Sequence, residues 1–365
     1  MRAAVLERPG EPIRIETIER PRPLAGEVLV HVHGCGVCHT DLHVMKGEVP
    51  FPTPCVLGHE IAGVIEELGP GVDGFAPGDR VACAFIMPCG HCRWCARGRD
   101  DMCETFFAMN RLRGTLYDGT SRLARADGSP LAMYSMAGLA EYAVVPATDV
   151  FALPDSLELQ SAAVLGCAVF TAYGAVKHAG AVSVGDRVAV VAAGGVGLNI
   201  VAMARAFGAR QVIAVDVALD KLEVARALGA SDVVDSSAVD AVAAVRELTG
   251  GEGVDIAFEA LGRPATVAQA FRMVRDGGAV VCVGIAAGAA AAEIEITHLV
   301  RRGIRLIGSF GARTRADMPR VIELAASGAI DLGALISVRV NLEGADEIYR
   351  ALDRGEVRGR ALVVP

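Results

Sequence analysis

The sequence predicts a two-domain α/β protein, with an irregular, β-rich first domain followed by a doubly wound parallel-sheet domain. Three observations carry this expectation. The chain has 365 residues, beyond the size at which a single hydrophobic core usually keeps growing. From about Ala181 to Gly308, short β-prone apolar runs alternate with stretches of helical periodicity, the pattern of strand–helix–strand crossovers. Over roughly the first 150 residues, Gly and Pro instead punctuate short β-prone runs with few long helical periods.

In the first domain the strand candidates are Glu27–Val32, Gly63–Glu67 and Arg80–Ala84. In the second they are Arg187–Ala192, Gln211–Asp216, Asp232–Val234, Val254–Glu259, Ala279–Gly284 and Ile304–Gly308. Helical periods fall between them at Gly195–Phe207, Asp220–Leu228, Ala238–Leu248 and Ala265–Val274, and the alanine-rich Ala286–Ala292 reads as a connector. After Gly311, a helical stretch at Met318–Ala326 and a closing strand at Arg360–Val364 are expected to return to the first domain. The expected division is 1–168, 169–309 and 310–365, with a ligand cleft between the domains.

Composition narrows the function. The apolar share is 52% and the charged share 21%, with 42 glycines dispersed rather than repeated, which excludes collagen-like and disordered classes. A formal charge of −8 without a dense Lys/Arg run leaves no footprint for nucleic acid or an anionic membrane surface. Small molecules are the expected partners. The residues from Met1 to Leu6 lack the organisation of a signal peptide, and Gly interrupts the most apolar stretches, so a cytoplasmic location without membrane insertion is expected. Ten cysteines in such a setting are metal ligands or buried apolar residues before they are disulfides.

Cys89, Cys92, Cys95 and Cys103 form C-x2-C-x2-C-x7-C. Four thiolates this close in sequence can close a tetrahedral shell around zinc and leave no position for water, which defines a structural site. Iron–sulfur clusters also take four cysteines, but the ferredoxin spacings differ. Upstream stand Gly36-Val37-Cys38-His39-Thr40-Asp41-Leu42-His43 and Gly58-His59-Glu60, and later Leu165-Gly166-Cys167. Either early segment alone would be ambiguous. Together with Cys167 they supply Cys, His and Cys from three separated segments, and three protein ligands leave a fourth zinc position open for water or substrate.

After the strand at Arg187–Ala192, the run Ala192-Ala193-Gly194-Gly195-Val196-Gly197 reads A-x-G-x-x-G, a dinucleotide fingerprint whose first glycine is Ala192. That alanine needs a negative φ or must absorb a small strain. Backbone N–H groups and the following helix can then meet a pyrophosphate. Asp216 follows Gly197 by 19 residues and ends a strand, where a carboxylate accepts from the adenosine ribose hydroxyls and repels a 2′-phosphate; NAD is therefore expected over NADP. Lys221 is a candidate ribose contact or a solvated helix-face lysine.

These segments, with Asp118-Gly119-Thr120-Ser121-Arg122, resemble the zinc-containing medium-chain alcohol dehydrogenases over nearly the full chain, particularly the longer, vertebrate-like form. The resemblance implies a GroES-like catalytic domain with a Rossmann domain, and hydride transfer between NAD and an alcohol or aldehyde. It implies catalytic zinc at Cys38, His59 and Cys167, and structural zinc at the four-cysteine lobe. Thr40 matches the hydroxyl that bonds the substrate oxygen, and His43 the imidazole that passes the proton to solvent. Asp41 and Glu60 match carboxylates behind the ligands, Asp41 orienting His59. His39 occupies a position that is often Arg and touches the cofactor pyrophosphate. Val283, Ile285 and Phe310 are implied at the nicotinamide end, and Arg360, or Arg358, at the pyrophosphate. Val49, Phe85 and Phe107 are implied pocket residues, suited to primary alcohols of moderate size, aromatic ones included. The glutathione-adduct branch uses a cation soon after the fourth lobe cysteine, where this chain has Glu104-Thr105-Phe106-Phe107, so that branch is the alternative reading; a non-catalytic zinc-stabilised binding protein is a second. The segment Arg111–Ala137 resembles an insertion of the dimeric branch, which implies a homodimer paired through the edge strand near Ile304–Gly308.

Overall fold

The computed structural model describes every residue except 287, so one position of the Ala286–Ala292 connector lies outside the described residues. The chain forms two compact units. One joins Met1–Phe170 to Arg313–Pro365, and the other is Thr171–Ala312.

Within Thr171–Ala312 six strands form one parallel sheet in the spatial order Asp232–Asp235, Gln211–Asp216, Arg187–Val191, Val254–Glu259, Val274–Cys282, Arg305–Gly308. Chain order reverses beside Arg187–Val191, and such switch points are where open α/β sheets bind ligands. Arg187–Val191 is apolar after its first residue, with Val188, Ala189 and Val190 fully buried, as expected of a central parallel strand. Val191, Ile213, Val215, Val245, Phe271 and Val280 share one core cluster.

The crossover helices are Gly195–Ala206, Leu219–Ala227, Ala241–Leu248 and Pro264–Met273. The third starts at Ala241 rather than Ala238 because the Asp240 carboxylate accepts from Val242 N–H at 2.8 Å and Ala243 N–H at 3.0 Å, which fixes an N-cap that periodicity alone does not locate. The fifth strand begins at Val274, earlier than the expected Ala279, since Val274 pairs with Val254 across a register shift.

At the turn leaving Arg187–Val191, a Cβ on Gly197 would lie 1.9 Å from the Ala192 carbonyl oxygen. Only glycine permits that approach of helix to strand. Ala192 itself adopts φ +76°, so the strain anticipated for a non-glycine residue is present.

In the other unit the strand Glu27–Gly36 organises a seven-stranded sheet. Ile61–Leu68 pairs with it antiparallel, Tyr142–Pro146 pairs along its first half, and the late strand Arg360–Val364 pairs at its end. The register Cys35↔Ile61 and Cys35↔Val363 brings the residues just after Gly36, those just before Ile61 and those near Arg360 to one end of the sheet. A second sheet of five strands is built around Arg2–Leu6. The apolar helical run Ser161–Ala179 is long enough to cross a bilayer, but 78% of it is buried inside the protein.

Left-handed backbone at a residue bearing a Cβ costs about 1–2 kcal/mol, part of which glycine returns as chain entropy. Ala192→Gly is therefore expected to raise the unfolding free energy by about 0.5–1 kcal/mol, read as an upward shift of the urea midpoint by circular dichroism; a lower midpoint would show that the turn carries no strain.

Candidate active site and metal centres

The strand Glu27–Gly36 runs into Cys38, which caps the helix His39–Met45 in an extended conformation (φ −126°, ψ 147°). The cap aims Cys38 at the end of the sheet where His59 and Glu60 precede Ile61. Cys167 follows the helical turn Ser161–Gly166. Ligand atoms of Cys38, His59, Glu60 and Cys167 all lie within 4.8 Å of one another, and all four residues are buried. Cys38 Sγ is 3.5 Å from Thr40 Oγ1.

Asp41, fully buried, holds this cluster from behind. Its Oδ1 faces His59 Nδ1 at 3.0 Å and accepts from Gly58 N–H at 3.2 Å, while its Oδ2 accepts from the Tyr349 hydroxyl at 2.9 Å. With Nδ1 committed to a carboxylate, His59 turns Nε2 to the cluster, the arrangement that sets the tautomer and basicity of a metal-ligating histidine. Glu60 fits into the space left by Gly36, where a Cβ would come within 2.2 Å of Glu60 Oε2. That Oε2 is buried without a hydrogen-bond partner. Burial lifts Glu60 to about 7 against the pull of Arg360. Burial lowers His59, but Asp41 and Cys38 outweigh it and hold the imidazole up at about 10. Cys38 lies well below the usual thiol range, chiefly through its hydrogen bond with Cys167, and Cys167 correspondingly well above it.

The lobe brings Cys89, Cys92, Cys95 and Cys103 into a second group of the same span, with every cysteine a free thiol. Backbone N–H groups already donate to its sulfurs: Cys89 N to Cys103 Sγ at 3.3 Å, Cys92 N to Cys89 Sγ at 3.3 Å and Phe106 N to Cys103 Sγ at 3.4 Å. Such donors favour thiolate. Burial raises Cys92, but the amides of Cys95 and Trp94 more than offset it and bring that thiol to about 6. Arg315 ties the lobe down, donating to Asp100 at 2.7 Å and to the Cys95 carbonyl at 2.7 Å. Both donor sets suit zinc: four sulfurs in one, and two sulfurs, an imidazole and a carboxylate with an unpartnered oxygen in the other.

Other expected residues lie as follows. His43 Nδ1 is hydrogen-bonded to Glu48, a partner the sequence reading did not include. His39 opens the helix His39–Met45 and is exposed. Phe85 stands edge-on to the His59 ring at 6.1 Å, whereas Phe107 packs on Phe106 at 5.3 Å, and Val49 is half-buried beyond His43. Tyr134, also not anticipated, stands edge-on to His59 at 5.9 Å. Cys35, Cys55 and Cys83 are buried as small apolar residues, and Cys282 is half-buried.

In Thr171–Ala312, Gly194, Gly195 and Val196 are partly exposed at the start of the helix Gly195–Ala206, and a Cβ on Gly194 would project into open space. The Asp216 carboxylate is fixed beside this turn, accepting from Ala193 N–H at 2.7 Å and Ala218 N–H at 3.0 Å. Lys221 lies half-buried in the first turn of Leu219–Ala227, Val283 is buried, and Ile285 is 42% exposed. Phe310 follows the strand Arg305–Gly308. An open cradle of amides with a fixed carboxylate at its edge fits a dinucleotide.

Residues 24–155 match the alcohol dehydrogenase GroES-like domain, and residues 195–327 match the zinc-binding dehydrogenase family. The NDMA-dependent alcohol dehydrogenase of Amycolatopsis methanolica is 37% identical over 98% of this chain and 97% of its own length. The chain belongs to the zinc-dependent medium-chain alcohol dehydrogenase family. Among solved structures, an alcohol dehydrogenase zinc-binding domain protein from Burkholderia ambifaria superposes with a TM-score of 0.94 at 35% identity, covering 100% of this chain and 98% of that one. A zinc-binding dehydrogenase of Sinorhizobium meliloti bound to NADP gives a TM-score of 0.84 at 32% identity, covering 100% and 99%.

In this member of the alcohol dehydrogenase family, Arg360 is buried beside the metal cluster. Its guanidinium is 3% exposed, ion-paired with Glu60 and donating to the Val37 carbonyl at 3.2 Å. The register of Arg360–Val364 against Glu27–Gly36 directs it to the metal cluster. Removing one partner of a buried pair strands the other charge at a cost of about 3–5 kcal/mol. Arg360→Met should therefore destabilise the protein by about that amount in urea denaturation, and Glu60→Gln combined with Arg360→Met should recover most of it. Equal losses in the single and double variants would show that the charge pairing does not matter.

Proposed function

We propose that this protein is an NAD-dependent alcohol dehydrogenase with a catalytic zinc held by Cys38, His59 and Cys167 and a structural zinc held by Cys89, Cys92, Cys95 and Cys103. The observation that carries the reading is the convergence of a Cys, a His and a Cys from three separate segments, with a hydroxyl, Thr40, beside the first. Zinc bound there supplies Lewis acidity that lowers the pKa of an alcohol and polarises a carbonyl in the reverse reaction. Thr40 accepts the substrate's hydroxyl proton as it releases its own toward His43, which, backed by Glu48, passes it to solvent. Asp41 holds His59 in the ligating tautomer, and the rings of Phe85 and Tyr134 screen the cluster from water. The amides of the Gly194–Gly197 turn receive the pyrophosphate, and Asp216 accepts from the adenosine ribose. Its negative charge favours NAD over NADP, and bound NAD supplies the hydride acceptor.

We further propose that the chain forms a twofold dimer through Arg305–Gly308. That strand ends the sheet, and Leu306 on it is 45% exposed, while Ile296 and Val300 on the preceding helix Ile296–Arg301 are 74% and 71% exposed. Isologous pairing would cover both the open edge and the apolar residues.

Two measurements address these readings. Purified protein given a series of primary alcohols and NAD should contain two zinc ions per chain, form NADH and discriminate against NADP; one zinc in active protein, or NADP as the better acceptor, overturns the corresponding assignment. Light scattering coupled to size exclusion should give about twice the 37.9 kDa chain mass, and a monomer or a fourfold mass contradicts pairing through this edge alone.

A further inference from the structure

Beside the metal cluster two hydrogen-bond donors are buried with nothing to bond. Tyr134 is 1% exposed and its hydroxyl finds no acceptor, its polar neighbour being the Arg111 guanidinium; Nη1 of Arg111 is likewise buried and unpartnered. The two side chains belong together, since the Arg111 guanidinium carbon lies 4.1 Å from the centre of the Tyr134 ring. No carboxylate of the described residues is ion-paired with Arg111. A buried donor without an acceptor costs about 1–3 kcal/mol, more when charged, and such groups in native proteins call for an explanation.

The position is built. Arg111 ends a π-helical turn, Phe106–Arg111, a distortion that occurs mostly at functional sites. The neighbouring Asn110 is fully buried and donates through Nδ2 to the carbonyls of Met133 at 3.3 Å and Ser135 at 2.9 Å, on either side of Tyr134. Ser135 takes a left-handed conformation, φ +56°, with its hydroxyl donating to the Phe85 carbonyl at 2.7 Å. Tyr134 is thus fixed between Phe51, edge-on at 4.9 Å, and His59, edge-on at 5.9 Å. Its ring meets a metal ligand edge-on and carries a cation over its face.

We propose that Arg111 and Tyr134 form a carboxylate-recognition subsite, and that the alcohol oxidised here is a short hydroxy acid. This rests on the alcohol dehydrogenase reading above. A carboxylate can accept from both orphaned donors and neutralise the guanidinium, and charged, paired hydrogen bonds of this kind are the strong ones. The subsite is one aromatic ring away from His59, so the carboxylate and the reacting carbon are separated by only a few bonds. In the reaction the carbinol carbon loses a hydride to NAD and its hydroxyl loses a proton. The carboxylate is unchanged, and the product is the corresponding aldehyde acid.

The test compares 4-hydroxybutanoate with butan-1-ol in the zinc-loaded enzyme. The wild type is expected to have the higher kcat/KM for the hydroxy acid. Arg111→Met should lower the ratio of the two kcat/KM values by about 10- to 100-fold, the loss implied by one charged hydrogen bond. Tyr134→Phe should lower it by less, and Arg111→Lys should restore part of it. Butanoate, followed by calorimetry without turnover, should bind the wild type saturably and lose that binding in Arg111→Met. Butanoate binding that survives in the variant would put the carboxylate on the metal and overturn the subsite, as would an unmoved ratio while both alcohols are oxidised. Failure of the wild type to oxidise either alcohol would count against the dehydrogenase reading instead.

Discussion

Four charge-bearing side chains withdrawn from water have to neutralise one another, and the architecture around the metal cluster follows from that requirement. Asp41, His59, Glu60 and Arg360 are each at most 3% exposed. An isolated buried charge is so costly that it neutralises or acquires a partner. Here the partners are assigned by position: Asp41 to His59, Glu60 to Arg360, and the remaining lone pairs of Asp41 to Gly58 N–H and the Tyr349 hydroxyl. Gly36 is part of the same solution, because any side chain there would occupy the space of the Glu60 carboxylate. The cysteines then complete a pocket whose donors are oriented by groups that do not themselves ligate.

In the other unit the constraint is the turn after Arg187–Val191. Its sheet places the turn after Arg187–Val191 where strand order reverses, and Asp216 is locked by two amides before any ligand arrives. Rigidity at that point is bought with strained backbone at Ala192, the kind of local cost that persists where surrounding structure over-determines a conformation. Gly197 allows the close helix–strand packing that holds the turn in place.

What could be read in the sequence had short-range causes. Cysteine spacing reports lobe geometry because four ligands must reach one point over fifteen residues, Cys89 to Cys103. Continuous apolar runs reported the parallel strands because burial on both faces leaves no alternation. Contacts stayed hidden where a distant partner decided. Arg360 lies near no acidic cluster in sequence, and its partner Glu60 is 300 positions away. Tyr349 reaches Asp41 across 308 positions and resembles any core tyrosine. Glu48 could have been noticed, being five residues from His43, but a carboxylate in a turn is the usual solvated case. Arg111 was invisible as a site residue because a π-helical turn shifts the facing of side chains by an amount no simple period expresses.

The separation of Cys38 and Asp41 from Arg360 and Tyr349 bears on biogenesis. Translation proceeds at about 5–20 residues per second, so the groups that neutralise the buried carboxylates emerge well after the sulfur and imidazole ligands they support. The interval includes the whole of Thr171–Ala312, a contiguous stretch whose six strands need nothing from elsewhere to pair with one another. The unit that begins first is therefore completed last. Until then Glu60 lacks the Arg360 guanidinium and Asp41 the Tyr349 phenol. The buried, charge-neutralised arrangement around Asp41 and Glu60 is therefore reached only once Tyr349 and Arg360 have been made.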